Sequence, residues 1–298
     1  MDNIRGAALM VAAMAGFALE DTFIKTLAQD LPVGQILMLL GAGGASVFAT
    51  LALARRDRLV SRDLRDRWVI VRNTGELIGT IGFVTAIALT PLSTASAILQ
   101  ATPLAVTLGA AMFMREQVGW RRWSAILVGF AGVLLIIRPG LSGFEAASLF
   151  AVQGVIGLAI RDLATRAVPR AISSMQLSTY AFLTLLPAGA ILLIVSPGAP
   201  VMPTPAHWSA LGAALAFGVT AYYAIVAAMR MGDISIIAPF RYSRLIFAML
   251  IGVIHFGERP DALTLAGAAL IVGSGLYTIE REARLRRNAR RAAAARGA

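Results

Sequence analysis

Apolar stretches of about twenty residues follow one another along this chain, each bounded by a short polar or basic break. That is the length an α-helix needs to cross a hydrocarbon core of about 30 Å. Read against their breaks, the runs define ten expected spans: 6–27, 33–54, 68–89, 94–113, 120–137, 147–166, 173–195, 207–229, 234–255 and 262–279. A fold built round one soluble core has no place for so much apolar surface. With 58% hydrophobic residues, 14% charged residues and a mean hydropathy of +0.74, the chain lies outside soluble usage. The runs are apolar on all sides and lack the alternation of a membrane barrel, whereas a helix satisfies its own backbone groups in lipid. The expected fold class is all-α integral membrane with ten transmembrane helices.

Charge sets the expected orientation. A formal charge of +11 is also a nucleic-acid signal, but the arginines sit in breaks between apolar runs and in the tail, as a positive-inside bias requires, so no nucleic-acid partner is expected. With the N-terminus inside, 22 arginines fall in inner segments. These are Arg5, seven from Arg55 to Arg72, three from Arg115 to Arg122, Arg161, Arg166, Arg170, Arg230 and seven from Arg281 to Arg296. The outer segments hold only Arg138 and Arg259. Both termini are therefore expected in the cytoplasm, in a cell inner membrane. Trp68, Trp120, Trp123 and Trp208 fall at span ends, where amphipathic rings favour the headgroup region. The basic tail, 281–298, is expected to touch the anionic cytoplasmic leaflet. Met1 to Arg5 and the Glu20, Asp21 and Lys25 that follow make a poor signal peptide, so the first run is expected to be a retained span. With no cysteine and only His207 and His255, neither a disulfide framework nor a metal centre is expected.

The chain also repeats itself. Phe113 to Ile137 reads FMREQVGWRRWSAILVGFAGVLLII, and His255 to Ile279 reads HFGERPDALTLAGAALIVGSGLYTI. Each places a glutamate, Glu116 or Glu258, just after one span and follows it with a glycine-containing span. Two halves with five spans each, 1–138 and 139–280, must insert in opposite senses, and such inverted repeats hold their site near the midplane.

Three strings carry a family resemblance: GFALEDTFIKTLAQDLPVGQILML at Gly16 to Leu39, ALTPLSTASAILQATPLAVTLGAAMFMRE at Ala88 to Glu116, and MGDISIIAPFRYSRLIFAMLIGVIHFGE at Met231 to Glu258. In this order they resemble the drug/metabolite transporter superfamily, in its ten-helix EamA-type branch of paired five-helix repeats. The resemblance extends to about Glu280. It implies alternating access around a cavity lined mainly by spans 3, 4, 8 and 9, with spans 5 and 10 peripheral. It also implies export of amino acids, aromatic ones among them, or of related metabolites. The arginine that the family often carries in span 2 is replaced by LLGAGGA at Leu39 to Ala45.

Ionisable side chains inside a membrane are costly, about 2.5 kcal/mol or more each on insertion scales, and so mark pairs, wet cavities or functional sites. Arg244 lies about ten residues into span 9, about 15 Å along a helix and near the bilayer centre. Arg241, at i, i+3 from it, shares its face, so the two are candidates to hold a substrate carboxylate. The competing reading pairs each arginine with Glu20, Asp21 or Glu76. Glu20 and Asp21 point about 100° apart on a helix and cannot serve one partner. One of them is a cavity candidate, as a proton carrier or an ammonium ligand, and Asp21 also has Lys25 at i+4. Glu76 has Arg72 at i−4 as its bland partner. Arg161 and Asp162 lie nearer the cytoplasmic end, where snorkelling suffices to explain the arginine. Tyr222, Tyr223, Tyr242, Gln100 and Thr102 offer hydroxyl, amide and aromatic surface for a small zwitterion, although aromatic residues in helices more often simply pack. The glycines Gly41, Gly43, Gly44, Gly267, Gly273 and Gly275 fit close helix contact and no Walker pattern.

The expectation is a secondary transporter rather than an enzyme, needing no cofactor, with a small molecule as its partner and a monomer as its unit. The alternative is efflux of amphipathic cations with Glu20 or Asp21 as main ligand. An intramembrane lipid-modifying enzyme is a distant third, since the two histidines lack an HExxH pattern.

Overall fold

Residues 2–57, 59–60, 62–114, 119–141, 143–169, 171–196, 198–231 and 234–296 are described by a computed structural model. All regular structure among them is helical: α1 (Asp2–Leu27), α2 (Val33–Ala54), α3 (Arg67–Leu89), α4 (Leu92–Leu99), α5 (Thr102–Phe113), α6 (Trp120–Ile137), α7 (Ser148–Ala167), α8 (Ser174–Val195), α9 (Pro205–Met231), α10 (Ile234–Ile237), α11 (Ser243–Phe256) and α12 (Ala262–Arg296). Short 3₁₀ turns occupy Arg62–Arg65 and Ala238–Tyr242. Glu116 lies outside the described residues.

Among these helices, 8 segments are long and apolar enough to cross a membrane. Of the ten expected spans, α3 falls short because it carries Arg67, Arg72 and Glu76. The other is the α10–α11 segment, whose longest piece is 14 residues.

Two expected spans are not continuous helices. Span 4 divides into α4 and α5 at Gln100–Ala101, and span 9 divides at the 3₁₀ turn. Proline is the local cause in the first. Pro103 has no N–H to offer and its ring crowds the carbonyl of Leu99, four residues back. The Thr102 hydroxyl donates to that carbonyl instead, at 2.6 Å. In the second break Pro239 opens the 3₁₀ turn, and the Ser243 hydroxyl donates to the Phe240 carbonyl at 2.7 Å. Elsewhere the ends are ordinary: Asp66 accepts from the Trp68 N–H at 2.8 Å to start α3, and Ser173 and Gln176 form a reciprocal capping box on α8.

The helices pack in pairs: α1 along α9, α2 along α8, α3 along α7, α6 along α12, and α4 against α11. The α3–α7 seam is close. A Cβ on Gly157 would meet the backbone of Gly79 and Gly75, so only glycine permits this approach. The largest buried cluster joins Ile36, Leu37, Ile87, Leu92, Ile98 and Ile271, and so draws α2, α3, α4 and α12 together.

Candidate functional site

The two helix breaks meet. The Gln100 side chain, at the end of α4, donates to the Tyr242 carbonyl at 3.4 Å. Arg244 begins α11 just beyond that turn and donates to Asp21 of α1 at 2.7 Å. Its guanidinium also lies 5.2 Å from the ring centres of both Phe17 and Phe83. Asp21 is 3% exposed, so this is a buried, charge-assisted pair with aromatic faces as its remaining walls. The Arg244 Nε is buried and has no partner.

Glu20 points elsewhere, as the helical angle requires. Its carboxylate lies over Gly218 of α9, where a side chain would collide with it. Among the described residues it has no hydrogen-bond or ion-pair partner. The i+4 pairing of Asp21 with Lys25 does not form, because Asp21 turns to Arg244 while Lys25 donates to the carbonyls at the end of α3.

A second charged centre lies across the α3–α7 seam. Arg161 donates to Glu76 at 3.2 Å and to Asp162 at 2.8 Å, and Arg72 stands 3.7 Å from Glu76 while donating to Asn73. Arg241 lies within electrostatic reach of Asp162 without forming a hydrogen bond or ion pair among the described residues. Arg241 and Arg244 are thus separated. One faces the Asp162 centre and the other Asp21, because the chain changes from a 3₁₀ turn to an α-helix between them. Arg161, which snorkelling sufficed to explain, instead reaches a carboxylate of the neighbouring helix. The close α3–α7 approach brings Arg161 against Glu76, and Asp162 pairs with Arg161 beside it. A signal was present: GLAIRDLATR at Gly157 to Arg166 repeats the pattern of GFALEDTFIK at Gly16 to Lys25.

The remaining candidates divide. Thr102 closes the α4 break, and Gln100 joins the two breaks. Tyr242 sends its hydroxyl against Gly275 of α12, where it is buried without a partner. Tyr222 packs edge-on against Phe48 and Phe182 at 5.4 and 6.5 Å. Tyr223 is 49% exposed and lines a cleft with Arg55, Asp57 and Ser173, so the interior does not include it.

At the opposite end from Arg55, Arg138 pairs with Asp261 at the start of α12. The guanidinium and the Thr264 N–H hold the Asp261 carboxyl below the usual carboxylate range. Among the described residues no group of histidine and acidic side chains is placed to hold a metal.

Apolar helices on the outside, broken helices meeting inside and paired charges between them define a multi-pass membrane protein of the transporter class. The EamA-like transporter family matches residues 4–138 and 146–279, and the chain belongs to that family. It is 30% identical over 224 residues to a riboflavin transporter of Vibrio cholerae, covering 75% of this chain and 74% of that one. It is 24% identical to an S-adenosylmethionine uptake transporter of Rickettsia bellii, over 72% of each. To a pseudopaline exporter of Pseudomonas aeruginosa it is 27% identical, over 90% of this chain and 93% of that one. A solved crystal structure of 21% identity shares the fold over 93% of this chain and 98% of its own, with a TM-score of 0.58. The chain is a transporter of small metabolites and not an enzyme.

Proposed function

We propose that the protein exports an amino acid or a related zwitterionic, ring-bearing metabolite across the bacterial inner membrane, by alternating access around the meeting point of the two broken spans. The observation that carries this is a separation of unbalanced charge. Among the described residues, neither Glu20, the neighbour of Asp21 on α1, nor Arg241, in the turn before Arg244, forms a hydrogen bond or ion pair. A zwitterion would answer both, with its cationic group toward Glu20 and its anionic group toward Arg241. Phe17 and Phe83 supply aromatic surface beside them. The candidates at the heart of this site are Glu20, Asp21, Arg244, Arg241, Gln100 and Glu76.

The pairing of helices supports two inverted halves, 1–138 and 139–280, with ten passes and cytoplasmic termini. Exchanging α1 with α7, α2 with α8, α3 with α9, α4–α5 with α10–α11 and α6 with α12 leaves the observed pairs unchanged. The α1–α9 and α3–α7 pairs swap, and the other three map onto themselves, as a two-fold axis between halves demands. The curated relatives carry riboflavin, S-adenosylmethionine and pseudopaline, in named directions that include both uptake and export. A monomer suffices for this arrangement. Efflux of amphipathic cations is the second reading, favoured by the unpartnered Glu20 carboxylate.

The test is flux in proteoliposomes of labelled amino acids, S-adenosylmethionine, riboflavin and an amphipathic cation, with and without a pH gradient. Saturable flux of a zwitterion, reduced in both Glu20→Gln and Arg241→Gln, is expected. Flux of the cation alone, indifferent to Arg241→Gln, selects the second reading. Folded protein that moves none of these solutes overturns the substrate class.

A further inference from the structure

At the end of the bundle marked by Glu258, four chain segments are tied together by two side chains. α11 ends at Gly257, whose φ of +65° turns the chain back so that the Glu258 N–H donates to the Gly252 carbonyl at 2.8 Å. Gly252 has no side chain, and the Glu258 carboxylate occupies the space where one would stand. From there it accepts from the Leu92 N–H at 2.5 Å, the Ser93 N–H at 2.9 Å and the Ser93 hydroxyl at 2.6 Å. Glu258 is therefore the N-terminal cap of α4, supplied by α11 rather than by the chain before α4.

Lys25 of α1 completes the tie. It donates to the Ile87 and Thr90 carbonyls at 3.0 and 2.5 Å, the negative end of α3, and stands 4.0 Å from Glu258. Its ammonium also lies 5.3 Å from the Phe256 ring centre. Lys25 and Glu258 are 14% and 8% exposed at their side chains, so their bonds are shielded from water. Above them lies a cleft of about 240 Å³ lined by Pro91, Thr94, Arg138, Glu145, Asp261 and Thr264. Ser96, one turn below Ser93 on α4, is 1% exposed.

We propose that Lys25 and Glu258 form the latch that closes this end of the transport path, and that it must part for the path to open there. The latch joins α1, α3 and α4 of the first half to α11 of the second, so rocking of one half against the other cannot proceed with it intact. It rests on one shielded carboxylate shared by three donors, so loss of that carboxylate frees α4 from α11 and removes the ion pair of Lys25 together. The second half carries Arg166 at the place that Lys25 occupies in the first, in the matching strings GLAIRDLATR and GFALEDTFIK, so the opposite end has a cation at the corresponding position.

This inference rests on alternating access but not on any substrate, and its test needs none. The chain has no cysteine, so Ser96→Cys gives a single reporter beneath the latch. Its labelling by a membrane-impermeant maleimide is measured from the Glu258 side of oriented proteoliposomes. With the latch intact, labelling is expected to be slow. Added Glu258→Gln or Lys25→Met should raise the rate about tenfold, the kinetic equivalent of about 1.4 kcal/mol. Gly252→Ala keeps both charges and displaces the Glu258 carboxylate, so it should raise the rate in the same way. Asp261→Asn, which removes an ion pair outside the latch, should leave it unchanged. Equal rates in the parent, Glu258→Gln and Gly252→Ala would overturn the latch, as would a rise with Asp261→Asn as large as with Glu258→Gln. Absence of metabolite flux, by contrast, would count only against the proposed substrate.

Discussion

α1 and α7 close with the same pattern and put it to different ends. Gly16, Ala18 and Asp21 of one stand where Gly157, Ala159 and Asp162 stand in the other, and Lys25 answers Arg166. The difference is the residue before the aspartate, Glu20 in α1 and Arg161 in α7. Asp162 takes its counter-charge from this neighbour, at 2.8 Å within one helix. Asp21 has no basic neighbour there, and takes Arg244 from α11 in the other half of the chain. One charge substitution thus decides whether the aspartate is satisfied locally or ties two halves together. In the first case the aspartate needs no other helix. In the second it depends on how α1 and α11 sit against each other.

If that contrast is right, Asp21→Asn should be the most damaging single change. It strands Arg244 in the interior, at a cost of about 3–5 kcal/mol for an uncompensated buried charge. The double variant Asp21→Asn with Arg244→Met should recover much of this loss, which unfolding of the purified protein in detergent would measure. Equal costs for the single and double variants would mean that the pair carries no coupling.

Gly157→Ala comes next, because its Cβ meets the Gly79 backbone and must push α3 from α7, for about 1–3 kcal/mol. The same melt reports it, and a neutral outcome would show that the seam has room. Asp162→Asn should cost less than Asp21→Asn, since Arg161 retains Glu76, and about 1–2 kcal/mol is expected. A loss matching that of Asp21→Asn would erase the distinction between the two helices.

The smallest effect belongs to the Arg138–Asp261 pair. Its folded carboxyl is held below its unfolded value, so its contribution is present above the unfolded pKa, near 4, and is lost as the pH falls through the lower folded value. Half of the Asp261 side chain is open to water, so Asp261→Asn should barely move the melting temperature at neutral pH. Any difference between it and the parent should begin to fade below pH 4 and disappear only once the pH has fallen through the lower folded value, which melts across a pH series would reveal.

Much of the helix pattern was legible in the chain because hydropathy and its polar breaks are local properties. The bounds of α2, α6 and α8 fall within a residue of the apolar runs. The breaks in spans 4 and 9 were signalled by Pro103 and Pro239, but a proline alone leaves open whether a helix kinks or divides. The site was legible as a set of charges and not as a set of partners. Arg244, Asp21 and Glu20 stood out because charge is rare in apolar runs, while Arg161 and Asp162 were discounted for lying near a span end.

The sequence by itself determined a helical membrane chain, its polar breaks and the charges that the bilayer must accommodate, because each follows from the free energy of moving residues from water to lipid. Only the tertiary structure decided that Arg244 answers Asp21, that Arg161 answers Glu76 and that Glu258 caps a helix 166 residues away in the chain. Those choices depend on which helices lie side by side and how closely glycines let them approach. No local property of the chain records that.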